Sequence, residues 1–211
     1  MRAYRHIAIE GAIGAGKTSL ARLLADRLGA GLLLERPQDN PFLARWYAEG
    51  ARHALPTQLT FLFQRIEQYR ALAQPGMFDA PAIVSDFMFD KDALFAELTL
   101  SDDELRLYGR IHAELAPRVP APDLVIWLQA GLPTLIHRIA QRGIPMERDI
   151  APGYVQRLAE AYGAYFERRP ELAVLAVDTA QFHPLERPAD LERLVDRLQV
   201  FVGPREALGL G

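Results

Sequence analysis

The segment at 11–18, Gly-Ala-Ile-Gly-Ala-Gly-Lys-Thr, constrains the fold more strongly than any other part of the sequence. It matches the pattern G-x-x-x-x-G-K-T, in which glycines let successive backbone N–H groups curl around phosphates while the lysine reaches the outer phosphates. A β-compatible run at 6–10 precedes the segment, and an apolar helical face at 17–28 follows it. The sequence therefore predicts a phosphate-binding loop between a strand and a helix.

The lysine of this loop is unusual in a chain that otherwise uses arginine. Of the 24 basic residues only Lys17 and Lys91 are lysines. A compact ammonium fits between phosphates where a broad guanidinium does not, so Lys17 is predicted to be catalytic. The expected ligands are a nucleoside triphosphate, ATP or another, and Mg²⁺, with Thr18 as a metal ligand. The residues predicted to bind the donor are Gly11, Ala12, Ile13, Gly14, Ala15, Gly16, Lys17, Thr18 and Ser19.

Strand-like and helical patterns alternate along the rest of the chain. The strand-like runs lie at 6–10, 31–34, 80–84, 123–129 and 172–177. This alternation predicts an α/β fold of the P-loop NTPase type, a three-layer arrangement with a five-stranded parallel sheet flanked by helices. A ligand is then expected at the carboxyl ends of the strands. One domain is expected over 1–202, with 203–211 as a flexible C-terminal tail.

Charge and composition limit the partners. The net charge of -3 and a pI near 6.0 provide no long-range attraction for nucleic acid or an anionic membrane surface. No apolar run is long enough to span a bilayer, so no membrane partner is expected. The chain contains no cysteine, which is compatible with a reducing compartment and favours a cytoplasmic location.

A phosphate loop alone does not separate kinases from GTPase switches, ATP-driven machines or regulators. A GTPase should carry D-x-x-G after a strand and N-K-x-D for the base. No predicted strand is followed by the first motif, and Asp90-Lys91-Asp92 does not match the second. The sequence therefore disfavours a GTPase switch.

Residues beyond the loop resemble the deoxynucleoside kinase family, in the branch that contains deoxyadenosine, deoxyguanosine and deoxycytidine kinases. The resemblance covers most of the chain and extends through a lid segment at about 138–150. It rests on Glu35-Arg36-Pro37, Asn40-Pro41-Phe42-Leu43, Tyr47, Gln58, Arg65, Ser85-Asp86-Phe87 and Tyr154 to Tyr165.

The resemblance implies roles for the residues that match the family's motifs. Glu35 is expected to take the proton from the nucleoside 5′-hydroxyl, which suits a carboxylate at a strand end facing the γ-phosphate. Tyr47 is expected to bind the sugar 3′-hydroxyl and Gln58 to read the base with its paired donor and acceptor. The residues implied in substrate binding are Glu35, Tyr47, Gln58, Arg65, Asp86 and Glu147.

Two places depart from the family pattern. After the third strand, the animal enzymes have Glu-Arg-Ser where this chain has Ser85-Asp86-Phe87, so their arginine is missing. Asp86 is expected to serve Mg²⁺ directly or through water. Asp90 and Asp92 are alternative partners for Arg65, and the sequence does not decide between them.

The second departure is in the lid. Arg138 and Arg142 follow a predicted helix and are expected to bind the donor, and mobile cations here would neutralise charge on the transferred phosphate. Ile144 stands where the family often has a second arginine, so both Arg142 and Arg148 are candidates for the catalytic arginine. Asp178, after the last strand, is expected near the adenine of the donor.

The resemblance implies a deoxynucleoside kinase of nucleotide salvage that transfers the γ-phosphoryl group to the 5′-hydroxyl of a deoxyribonucleoside. Deoxyadenosine or deoxyguanosine is the expected acceptor, with deoxycytidine left open, and a homodimer is the expected assembly. Two alternatives remain: a thymidylate kinase-like nucleoside monophosphate kinase, and a noncatalytic P-loop nucleotide-binding regulator.

Overall fold

The computed structural model describes residues 4–72, 82–115 and 121–209. Within them the strands are β1 His6–Glu10, β2 Gly31–Leu33, β3 Ile83–Ser85, β4 Leu124–Gln129, β5 Val174–Asp178 and β6 Arg205–Leu208. The α-helices are α1 Lys17–Leu28, α2 Leu43–Glu49, α3 Ala54–Leu72, α4 Lys91–Thr99, α5 Asp102–Leu115, α6 Leu132–Arg142, α7 Pro152–Glu167 and α8 Pro188–Val200. Short 3₁₀ turns lie at Pro37–Asp39, Gly50–His53 and Pro145–Glu147.

All strands of the described sheet are parallel, in the order β2-β3-β1-β4-β5-β6. The central strands β1 and β4 are apolar and largely buried, because helices cover both faces of the sheet. The predicted α/β fold with a parallel sheet is therefore confirmed. Because β1 lies between β3 and β4, the loop that follows it opens at the middle of the carboxyl edge.

The predicted strand count was wrong, since the described residues form a sheet with six strands rather than five. The additional strand, β6, lies in the segment predicted to be a flexible tail, where Ala207 pairs with Ala176 and Leu208 with Val177 of β5. The sequence of β6, Arg-Glu-Ala-Leu, has no continuous apolar run, so its strand character depends on the free edge of β5. Residues 80–81 of the predicted third strand and 210–211 of the predicted tail lie outside the described residues.

The lid prediction also needs a correction. Arg138 and Arg142 do not follow a helix but lie in the last turns of α6, which ends at a left-handed Gly143. Glu147 ends the 3₁₀ turn that follows, and Arg148 comes directly after it. Within the described part of the chain, no helix has both the length and the apolar character that crossing a membrane requires.

His6 is a partly buried titratable residue at the start of the central strand. Its Nε2 lies 2.8 Å from Ser85 Oγ. Burial lowers the pKa of His6 from 6.5 to about 4, although the Asp123 carboxylate acts in the opposite direction. The neutral imidazole is therefore the form that the folded protein favours.

Stability should fall on acidification through this histidine. Because its pKa is lower in the folded chain, the unfolded chain binds more protons between pH 6.5 and about 4. This contribution is complete above pH 6.5 and declines toward pH 4, with a loss of at most about 3 kcal/mol. Urea unfolding at several pH values should show a shallower decline for His6→Gln than for the wild type. His137→Gln, at an exposed histidine, is the control; equal slopes in all three proteins would contradict the assignment.

Candidate active site

A cavity of about 420 Å³ opens at the carboxyl edge of the sheet. It brings together residues that lie far apart in the sequence, because β1, β2 and β3 all end there. The predicted site residues that line it are Ile13, Gly14, Gly16, Lys17, Thr18, Ser19, Glu35, Tyr47, Gln58, Arg65, Asp86, Arg138, Arg142 and Glu147. Gly11, Ala12 and Ala15 form the inner side of the loop, where Gly11 and Ala12 contact Lys17.

Two glycines of the loop are required by its path. Gly11 and Gly14 have φ angles of 144° and 86°, which other residues rarely adopt. A Cβ atom on Gly11 would lie 2.5 Å from the carbonyl oxygen of Leu128, and one on Gly14 would lie 2.7 Å from that of Leu135. The loop thus packs directly against the backbone at the end of β4 and within α6.

Lys17, the first residue of α1, reaches back over the loop. Its Nζ donates to the carbonyl oxygens of Gly11 and Ala12 at 2.7 and 3.1 Å. Burial and, to a smaller extent, the nearby charge of Lys91 lower the pKa of Lys17 from 10.5 to about 8, against the raising effect of surrounding carboxylates. A bound polyphosphate would favour the charged form, so the lysine is placed to respond to an anion.

Thr18 and Asp86 form the pair predicted to serve the metal. Thr18 Oγ1 donates to Asp86 Oδ2 at 2.6 Å, and the backbone N–H of Glu35 donates to Asp86 Oδ1 at 2.7 Å. Two oxygen ligands at one end of a phosphate loop fit Mg²⁺, which prefers oxygen and usually keeps several waters. The donor set therefore suits magnesium at the phosphate end of the cavity.

Glu35 lies between two cations. Arg65 Nε donates to its Oε1 at 3.1 Å, with a second contact from Arg65 Nη2, and Lys91 Nζ donates to its Oε2 at 2.9 Å. Burial alone would raise the pKa of this carboxyl, but the charges and hydrogen bonds of Lys91 and Arg65 outweigh it and hold the pKa well below its usual range. Glu35 is therefore a carboxylate at any physiological pH.

The structure also decides which aspartate pairs with Arg65. Asp92, fully buried at the start of α4, forms an ion pair with Arg65 Nη1. Asp90 instead accepts a hydrogen bond from Tyr165 at 3.1 Å and lies 3.6 Å from Arg169 near the surface. The two aspartates are two positions apart at the start of α4, and the phase of the helix directs Asp92 rather than Asp90 toward Arg65.

The cavity lining also includes Tyr47, Gln58 and Glu147. Gln58 is 2% exposed; its Nε2 lies 3.2 Å from Thr99 Oγ1, while its Oε1 has no hydrogen-bond partner among the described residues. Glu147 accepts from Arg142 Nη2 at 2.7 Å. A neutral ligand could therefore donate to the free amide oxygen of Gln58 and to the Glu147 carboxylate, which Arg142 holds in place.

Two predicted site residues stand apart from the cavity lining. Arg148 is exposed, while Asp178 Oδ1 accepts the backbone N–H of Ala180 at 2.9 Å and so stabilises the turn after β5. Arg138 points to that same turn, where its Nη1 donates to Thr179 Oγ1 at 2.9 Å. Arg138 thus connects α6 to the turn after β5. The donor-binding roles of Arg138 and Asp178 stay predictions.

Sequence reasoning missed two buried charged residues. Lys91 contacts Glu35, and its rarity was a signal, since it is one of only two lysines in the chain. Glu10, at the end of β1, accepts from the Met88 N–H and from Tyr162 Oη, both at 2.7 Å. No local pattern marks Glu10, because its partners come from distant elements.

A phosphate loop in the middle of a parallel sheet, with the Glu35 carboxylate on the same cavity, defines a P-loop phosphotransferase. The volume of this cavity, about 420 Å³, suits a kinase for a small acceptor.

Comparison with known proteins narrows this class. The deoxynucleoside kinase family model matches residues 7–203. The chain is 34% identical to the deoxyguanosine kinase of Bacillus subtilis (strain 168) over 93% of this chain and 97% of that protein. It is 26% identical to the deoxyadenosine/deoxycytidine kinase of the same organism, over 91% and 90% of the two chains.

Among solved structures, the deoxyadenosine kinase from M. mycoides with dCMP and dCDP superposes with a TM-score of 0.79 at 21% identity, covering 92% of this chain and 99% of that one. The chain belongs to the deoxynucleoside kinase family. It is accordingly an ATP-dependent phosphotransferase that acts on deoxynucleosides, as the sequence motifs predicted.

Proposed function

We propose that this protein transfers the γ-phosphoryl group of Mg²⁺–ATP to the 5′-hydroxyl of a purine deoxyribonucleoside, with deoxyguanosine as the preferred acceptor. The observation that carries the proposal is the placement of Glu35 and Gln58 on one cavity with Lys17. This arrangement provides a phosphate end, a carboxylate for the acceptor hydroxyl and an amide for the base.

The reaction proceeds by in-line displacement. The 5′-oxygen forms a bond to the γ-phosphorus, the bond between that phosphorus and the bridging oxygen breaks, and ADP leaves. Glu35 receives the hydroxyl proton. Its lowered pKa suits this role, because a loose transition state places little charge on the attacking oxygen and the proton leaves late.

Base recognition relies on complementary hydrogen bonds. The free Oε1 of Gln58 accepts a base N–H, and Arg65, which is 2% exposed, offers guanidinium donors beside it. Both purines present a donor next to an acceptor. The similarity to the deoxyguanosine kinase of Bacillus subtilis supports guanine as the preferred base.

The lid arginine that acts on the phosphate is Arg142 in this proposal. Arg142 lines the cavity and is tied to Glu147, whereas Arg148 is exposed outside the lining. Glu147 then has a second task, because the same carboxylate is expected to meet the sugar 3′-hydroxyl beside Tyr47. Mg²⁺ would be held by Thr18 and Asp86 and would supply charge neutralisation at the phosphates.

The cavity favours a neutral nucleoside over a nucleoside monophosphate. Arg65, which is expected to lie at the acceptor, is paired with both Glu35 and Asp92. This arginine is therefore already neutralised, whereas a monophosphate acceptor requires available positive charge.

The cytoplasmic location, the role in nucleotide salvage and the homodimer belong to this proposal as well.

A substrate panel tests the proposed acceptor. With ATP and Mg²⁺, kcat/KM for deoxyguanosine should exceed that for deoxyadenosine, deoxycytidine and thymidine by about tenfold or more. The measurement is the rate of ADP release with each nucleoside, and with dGMP and dTMP as acceptors. The Lys17→Ala protein is the blank. A pyrimidine as best substrate would overturn the base assignment. Turnover of dTMP alone would indicate a monophosphate kinase, and no turnover would indicate a regulator.

A further inference from the structure

Lys91 is a lysine that is 4% exposed, at the first position of α4. A buried ammonium is costly unless a carboxylate pairs with it. Within the described residues, the carboxylate that lies within ion-pair distance of Lys91 Nζ is that of Glu35, at 2.9 Å. The ammonium also lies 5.3 Å from the centre of the Phe95 ring.

The two oxygens of Glu35 are occupied unequally. A carboxylate offers about four lone-pair sites, two on each oxygen. Arg65 approaches Oε1 with both Nε and Nη2, while Lys91 Nζ approaches Oε2 alone. The unused site is therefore on Oε2, the oxygen that Lys91 holds.

The two cations also differ in how their charge is shared. Arg65 is neutralised from its other side by the fully buried Asp92. Lys91 forms its ion pair with Glu35, and its charge also lowers the pKa of the buried Glu10 carboxyl against the effect of burial. Without Lys91, the carboxylate could pivot about its contacts with Arg65, and Oε2 would lose its fixed direction.

Lys91 itself is held by the central strand. The turn before α4 is anchored where Met88 N–H donates to Glu10 Oε1 at 2.7 Å, and Lys91 N–H donates to Met88 O at 3.3 Å. Glu10 ends β1, the strand that leads into the phosphate loop. The ammonium is thus fixed relative to that loop by rigid core elements rather than by a surface loop.

We infer that Lys91 is a positioning residue for phosphoryl transfer, whose ammonium directs Glu35 Oε2 toward the acceptor 5′-hydroxyl. This inference rests on the proposed function. The acceptor hydroxyl donates to the remaining lone pair of Oε2, and its oxygen then faces the γ-phosphate above Lys17. Lys91 acts through Glu35. Its ammonium holds the Glu35 carboxylate in its reactive geometry before the donor binds.

The test compares Lys91→Met, Lys91→Gln and Lys91→Arg with the wild type on its best deoxynucleoside. A misplacement of about 1 Å costs about 10²-fold in rate, so kcat should fall about 10²-fold in the Met and Gln proteins. KM for ATP should change less than about threefold. Lys91→Arg restores the charge, so its kcat should be about tenfold higher than that of the Met and Gln proteins. Arg27→Met, at an exposed ion pair with Glu192, is the control.

A double variant separates positioning from general structural support. If Lys91 acts through Glu35, then Glu35→Gln combined with Lys91→Met should be about as slow as Glu35→Gln alone. The inference would be overturned if the double variant lost kcat by the product of the two single losses. It would also be overturned if Lys91→Arg restored none of the lost kcat and the Lys91 variants had a lower thermal midpoint. A wild type with no activity on any deoxynucleoside would overturn the proposed function and this inference together. An active wild type with an equally active Lys91→Met protein would overturn the inference alone.

Discussion

Replacing Lys17 with alanine is expected to lower kcat/KM for ATP by about 10³-fold, the loss typical for removing a group that stabilises developing charge. Lys17 is the charge that the loop presents to the outer phosphates, and Arg65 and Arg142, which line the same cavity, are paired with carboxylates. Steady-state kinetics at saturating deoxynucleoside, with ATP varied, would measure the loss.

The fold should tolerate this change. Lys17 makes its hydrogen bonds to carbonyl oxygens of the loop rather than to the core, so the thermal midpoint should move by only a few degrees. Arg22→Ala, at an exposed position of the same helix, is the matched control and should retain activity. Full activity of Lys17→Ala would remove the lysine from the phosphate site.

Replacing Glu35 with glutamine is expected to lower kcat by about 10²- to 10⁴-fold, the range for losing a general base. The amide keeps the shape of the side chain but cannot take the 5′-hydroxyl proton. KM for the deoxynucleoside should change little, because the contacts of Gln58 and Tyr47 with the nucleoside are expected to remain. Rapid-quench measurement of the phosphoryl-transfer step would separate this effect from product release.

Stability should respond to the same change. Glu35→Gln leaves the buried cations of Lys91 and Arg65 with less negative charge, and breaking a buried ion pair costs about 3–5 kcal/mol when no other partner remains. Asp92 still neutralises Arg65, so the drop should lie below that range. Glu49→Gln, at an exposed glutamate that pairs with His53, is the control for charge removal. An unchanged kcat in a folded Glu35→Gln protein would contradict the role of Glu35 as the general base.

Much of the site could be predicted because its parts are local in the sequence. The phosphate loop is a run of neighbours whose backbone angles are set by its own glycines, so Gly11 to Thr18 were recognisable from spacing alone. Glu35 and Asp86 followed from strand ends, because parallel strands bring their carboxyl ends to one edge. Family motifs added Tyr47, Gln58 and Arg65, which all line the cavity.

The sequence could not predict features that depend on how distant elements meet. The strand β6 has a polar sequence and forms only because β5 offers a free edge. The exposed position of Arg148, outside the cavity that Arg142 lines, depends on where α6 ends and how the 3₁₀ turn after it folds. Neither is encoded in a short pattern, since edge pairing and helix ends are decided by tertiary neighbours.

By itself the sequence determined the class of chemistry, a phosphate loop on a parallel sheet with a carboxylate near a strand end, because those features arise from contiguous residues and strand order. Only the tertiary structure decided how the charges are paired. The choice of Asp92 over Asp90, and the contact of Lys91 with Glu35, depend on the phase of α4 against α3 and on the anchoring of its first turn to Glu10. Electrostatic energy depends on distances in space, and the two positions that separate Asp90 from Asp92 change which charges meet.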